Sequence, residues 1–184
     1  MDFFQQLSIG WINGWWFSAL FMLANISMIA YYPKHFKVRV LKQPDFANTF
    51  QKLCSTIGFI LFQGCIWYAV FLPLQLNFSG FYMGIIIFVI GISGYITAMA
   101  NYATTPANQP VTKGIYKITR NPQQLMSIIL WTGAGIALNS WLMITACILQ
   151  LILSYPGFIA QEQTCLKKYG QPYQDYLKKT RRYF

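Results

Sequence analysis

The sequence predicts an all-α, polytopic integral membrane protein with about five transmembrane helices and a cytoplasmic, helical carboxyl-terminal tail. Three observations carry that expectation. Of 184 residues, 55% are hydrophobic and only 10% are charged, against about 25% charged in a soluble domain. The apolar runs approach the roughly 20 residues that cross a hydrocarbon core. All fourteen Lys and Arg fall on one side of the topology those runs define. The length suits one membrane domain, 1–184, with three spans in 1–105 and the remaining hairpin and tail in 106–184.

The first run covers residues 11–32 and stops where Pro33 and Lys34 open a polar stretch. The second covers 53–74, with Pro73 near its end, and a short link at 75–79 leads into the third, 80–100. A polar segment, 101–121, carries Pro106, Pro110 and Gly114. Beyond Pro122 the chain is apolar to Leu138, turns at Asn139 and Ser140, and is apolar again over 141–160, which reads as a helical hairpin. Residues 161–184 form a polar, basic, tyrosine-rich tail in which Gly170 and Pro172 interrupt the helical pattern. Tyr173, Tyr176 and Leu177 then recur at i, i+3 and i+4, giving one apolar, aromatic helical face.

Charge sets the expected orientation. Lys34, Lys37, Arg39, Lys42 and Lys52 lie between runs one and two, and Lys113, Lys117 and Arg120 between three and four. The tail holds Lys167, Lys168, Lys178, Lys179, Arg181 and Arg182, whereas the opposite side has Asp2 and no basic residue. The positive-inside rule therefore places the tail and both basic loops in the cytoplasm and the amino terminus outside. The net charge of +10 is interleaved with apolar runs, so its expected partner is the lipid headgroup layer and not nucleic acid. Lys178, Lys179, Arg181 and Arg182 are expected to meet those headgroups. No basic region precedes the first run and no small-residue cleavage site follows it, so no removable signal peptide is expected.

Several residue types have bland readings. Cys54, Cys65, Cys147 and Cys165 form no CxxC pair, and with one histidine, His35, a zinc site is not expected; buried structural cysteines are. Gly91 and Gly94, and Gly133, Ala134 and Gly135, suit close helix packing. Trp15, Trp16, Trp131 and Trp141 suit interface anchoring or packing. Glu162 is different: it is one of four acids and sits at the end of the fifth run. An ionisable group near membrane depth needs a partner, and an antiparallel hairpin would bring Arg120 to it. Charge and topology alone leave a plain helix-anchoring ion pair as the simpler account.

The order Gly114-Ile-Tyr116, Arg120-Asn-Pro122, an apolar hairpin, Glu162, Tyr169-Gly170, Tyr173 and Tyr176 resembles the carboxyl-terminal region of the isoprenylcysteine carboxyl methyltransferase family, whose wider group includes phospholipid methyltransferases. The resemblance covers residues 110–184. It implies a cytoplasmic S-adenosylmethionine site closed over by the tail. Pro110 and Val111 match the segment whose backbone lines the cofactor, Gly114 and Tyr116 the Gly-x-Tyr, and Arg120 and Pro122 the Arg-x-Pro. Glu162 matches the second member of an acidic pair, and Tyr173 and Tyr176 the tail tyrosines. Arg120 and Glu162 would form the catalytic centre, with Asn121 beside them in the cofactor site. Asn121, Gln124 and Gln161 stand where the family has His, an aromatic residue and a first acid, which leaves the acceptor open among an isoprenylcysteine-like carboxylate, a phospholipid amine, a small thiol and another lipid. Two rival readings remain: an NADPH-dependent enzyme like the membrane sterol reductases, and a non-catalytic membrane scaffold. Membrane lipids are expected partners; the sequence is silent on oligomeric state.

Overall fold

The computed structural model describes residues 6–32, 36–37 and 44–183. Asp2, Pro33, Lys34, His35, Arg39, Lys42 and Phe184 lie outside the described residues. The described chain is helical: α1 (Trp15–Tyr31), α2 (Thr49–Phe71), α3 (Gly80–Ala103), a 3-10 turn (Gly114–Lys117), α4 (Pro122–Ala137), α5 (Trp141–Tyr169) and α6 (Gln171–Lys179). Each predicted run is a helix, and the protein is a polytopic all-α membrane protein.

Three helices, α2, α3 and α5, are long and apolar enough to cross a membrane. Their outward faces carry exposed large apolar side chains, among them Phe59, Ile60, Ile86, Ile90, Ile148 and Ile152, a surface suited to acyl chains and not to water. The other two predicted spans are shorter, 17 residues in α1 and 16 in α4. Helix α4 is clad in protein: eleven of its residues are buried. A helix shielded by neighbours need not match the bilayer thickness, because its backbone is satisfied internally and its flanks rarely touch lipid.

Missing side chains make the α3–α4 contact close. A Cβ on Gly84 would meet the Ala137 backbone, one on Gly91 the Leu130 backbone, and one on Gly133 the Phe88 backbone. Trp131, fully buried, centres the core, with the Phe21 and Phe62 rings at 5.7 and 6.4 Å in edge-on geometry. The α4–α5 turn forms as the sequence predicts: Asn139 adopts φ 57° and the Ser140 hydroxyl accepts from the Met143 amide. On the same side, Gly14 N donates to Leu72 O and Leu74 N to Ile12 O, which ties the start of α1 to the α2–α3 link.

Helix α5 continues nine residues past the apolar run, to Tyr169. Its polar extension remains helical because every residue from Gln161 to Lys168 is compatible with helix and one face has a wall to build. Gly170, at φ 59°, ends α5 with its N–H on Leu166 O, and α6 starts at once with Pro172 in its first turn. The interruption predicted at Gly170 and Pro172 is thus a hinge between two helices.

Candidate active site

Four segments meet at the end of the bundle where α4 begins and α5 ends. On α5, Phe158, Glu162, Cys165 and Tyr169 recur at i, i+4, i+7 and i+11, so they share one face. Opposite stands the entry to α4, where Pro122 occupies the first turn and Asn121 the N-cap without side-chain capping. The 101–121 segment folds across the top, and α6 closes the remaining side by turning Tyr173 and Tyr176 inward, both 7% exposed. A hydrogen bond of 2.7 Å from Tyr176 Oη to the Tyr116 carbonyl ties α6 to the 3-10 turn.

These segments enclose a cavity of about 580 Å³, within the range of small-molecule sites. The cavity wall gathers nearly all the residues the sequence singled out. Pro110, Val111 and Tyr116 line it, as do Arg120, Asn121 and Pro122, and Glu162, Tyr173 and Tyr176 complete the set. Gln124 and Gln161 line it too. Gly114 is the exception. It has φ +57°, and a Cβ there would collide with the Asn101 side chain; it shapes the turn against α3 and does not reach the cavity. Cys165, expected to be buried, is half-buried in the wall, whereas Cys54, Cys65 and Cys147 are buried as expected.

The Arg120–Glu162 pair forms, with Nη1 at 3.4 Å from Oε1. The stronger partner of Glu162 is Arg182, which the sequence reading assigned to lipid headgroups. Arg182 Nε donates to Oε1 at 2.9 Å and Nη2 to Oε2 at 2.8 Å, the bidentate fork that guanidinium geometry favours. Those bonds push the Arg182 pKa above its ordinary value, against the opposing effect of burial. The correction has a physical cause: after α6 the chain runs extended alongside 119–120, with Arg120 N donating to Arg181 O at 3.0 Å and Thr119 Oγ1 to Arg182 O at 2.8 Å. A basic tail gives no hint of such a return. The one available signal was that a lone buried acid at a helix end demands more compensation than one arginine supplies.

The wall is rich in donors. Arg120 Nε, Asn121 Nδ2 and Gln123 Nε2 are buried without a hydrogen-bond partner, and a buried donor left unpaired costs about 1–3 kcal/mol. Aromatic rings from Tyr102, Tyr116, Phe158, Tyr169, Tyr173 and Tyr176 surround them. Burial, above all, raises the Tyr173 and Tyr176 phenols beyond their ordinary value, so both are neutral at physiological pH, Tyr176 with its one hydroxyl proton already on the Tyr116 carbonyl. A ligand that combines a carboxylate, an ammonium and a flat ring fits this donor set and these faces.

The phospholipid methyltransferase family model matches residues 53–172, well over half of the chain. This chain belongs to the phospholipid methyltransferase family. No curated protein matches it. The matched stretch runs from the first turn of α2 through α5 with most of the cavity wall, and stops just before Tyr173. Membership and fold together make the protein an integral membrane methyltransferase.

Proposed function

We propose that this phospholipid methyltransferase family member binds S-adenosylmethionine in the 580 Å³ cavity and methylates an amphiphilic acceptor delivered from the bilayer. The observation that carries the reading is the convergence of Arg120, Glu162, unpaired buried donors and six aromatic rings around one cavity. When bound, S-adenosylmethionine would supply an electrophilic methyl: the acceptor, having shed its proton to solvent, would give its lone pair to the methyl carbon as the C–S bond breaks and its electron pair returns to sulfur, leaving adenosylhomocysteine.

The chain's own groups bind and orient. Arg120, with Nε still unpaired, offers a guanidinium to the ligand carboxylate. Glu162 already accepts three contacts; a carboxylate has about four lone-pair positions, which leaves capacity for an ammonium. Asn121 adds an amide donor at the N-terminus of α4, where the helix dipole favours negative charge. The tyrosine faces suit an adenine ring or a sulfonium. Displacement needs alignment more than acid–base help, which agrees with a wall whose tyrosines are neutral. Of the acceptors considered, the family's description favours a phospholipid amine.

Calorimetric titration of the purified protein with adenosylhomocysteine tests the reading. Binding is expected, and Arg120→Ala or Glu162→Ala should each weaken it about tenfold or more, the worth of one charge-assisted contact. Affinity unchanged in folded mutants, or binding of NADPH instead, overturns it. Methylation of a lipid extract then identifies the acceptor. The proposed orientation has its own test: in intact cells a membrane-impermeant thiol reagent should modify Ser79→Cys and spare Lys178→Cys, both exposed positions. Labelling of Lys178→Cys refutes it.

A further inference from the structure

Arg182 does not line the cavity, yet it is the most tightly engaged cation near it. Besides its fork on Glu162, its guanidinium lies 5.0 Å from the centre of the Tyr155 ring. The next residue, Tyr183, packs on Tyr155 and Phe158 at 6.5 and 6.0 Å. With its carbonyls anchored by the Arg120 amide and the Thr119 hydroxyl, residues 180–183 form a strap that spans the entry to α4 and the later turns of α5. A cation that served only to attract headgroups needs none of these contacts. The carboxylate it holds is 89% buried, and the remaining contact of that carboxylate, to Arg120, is single and long at 3.4 Å. Without Arg182, Glu162 would be free to leave the rotamer that faces the cavity.

We propose that Arg182 is a positioning residue for the cofactor site: from outside the cavity its fork fixes Glu162, and through Glu162 it fixes Arg120 in the wall. This rests on the reading that the cavity takes S-adenosylmethionine. It adds that affinity depends on a side chain that touches no ligand atom, on a segment beyond the part of the chain matched to the family. Arg182 thereby couples docking of the chain end to assembly of the site. A point charge does not replace it, because an ammonium cannot engage both carboxylate oxygens in the planar geometry of a guanidinium.

The test is a double-mutant cycle on adenosylhomocysteine affinity in the full chain, using Arg182→Gln, Glu162→Gln and the pair. Arg182→Gln should weaken binding about tenfold, the worth of one charge-assisted contact. If Arg182 acts through Glu162, the double mutant should bind no more weakly than Glu162→Gln alone. Wild-type affinity in Arg182→Gln, or a double mutant whose loss is the product of the two single losses, overturns the proposal. Should Arg182→Gln fail to fold, Arg182→Lys carries the test: weakened binding at nearly unchanged melting temperature supports positioning, and wild-type binding sinks it. If the wild-type chain itself binds no adenosylhomocysteine, the cofactor reading fails and this inference falls with it, an outcome distinct from normal wild-type binding with an inert Arg182.

Discussion

The α3–α4 interface and the α6 cap both join elements that line the cavity, and they are held by opposite means. At the interface, backbone meets backbone where Gly84, Gly91 and Gly133 lack side chains. At the cap, ion pairs, the Tyr176 hydroxyl and a short backbone pairing hold a nine-residue helix and its strap to the bundle. In lipid, helices gain little from the hydrophobic effect and associate through close contact; beside water, charge and hydrogen bonding regain leverage. The frame is therefore intolerant of added volume, and the cap is separable.

The sharpest way to break the frame is Gly91→Val. Its Cβ would strike the Leu130 backbone, which cannot rotate aside, so a stability loss of roughly 3 kcal/mol or more is expected, the upper range for overpacking. A melting experiment in detergent should show it as a far larger shift than a valine placed on the lipid-facing side of the same helix. The cap should fail without taking the frame along. Truncation after Gly170 removes Tyr173, Tyr176 and the strap; adenosylhomocysteine affinity should drop roughly a hundredfold, as several contacts vanish together, while the spans still insert. Wild-type affinity in the truncated chain would show the tail to be a lipid anchor and no part of the site.

A milder perturbation loosens the cap alone. Burial raises the folded-state pKa of Tyr173 and Tyr176, so folding favours their neutral form. Their contribution is complete below the unfolded value, about pH 10, and is lost as pH rises from there through the folded values. Proteolysis of the tail should be flat between about pH 7 and 9 and accelerate above about pH 10; earlier acceleration would contradict the assignment. The smallest effect sharpens the contrast from the other side: a Cβ on Gly64 meets nothing within 4 Å, so Gly64→Ala should be neutral or stabilise α2 by up to about 1 kcal/mol.

Much of this architecture was legible in the sequence, for a specific reason. Spans announce themselves through composition, and Gly170 with Pro172 marks a break that hardly any other residues would produce. The small residues of α3 and α4 pointed to close packing, which the structure bears out. The cavity residues carried an order and spacing that survived folding, save for Gly114, whose φ of +57° serves a turn. What stayed hidden depends on tertiary return. The extension of α5 to Tyr169 was half legible: Gly170 and Pro172 marked where the helical pattern breaks, but nothing in the polar stretch before them showed that it continues the apolar span as one helix. Arg182 could not be told from Arg181, its neighbour in a basic run, because only the register of the strap against Thr119 decides which of them reaches Glu162.

Helix α4, finally, has a consequence beyond packing. Sixteen residues at 1.5 Å each reach about 24 Å, against a hydrocarbon layer of about 30 Å. Its entry, where Arg120 and Asn121 stand, is thereby recessed from the headgroup plane whenever its other end lies at the opposite interface. Extracting an acyl chain into water costs about 0.8 kcal/mol for every methylene, a prohibitive sum for a two-tailed lipid. On the proposed reading, a recessed chamber would remove that toll: an amphiphilic acceptor would dip its polar end inward, be methylated, and diffuse off with its tails never having met water.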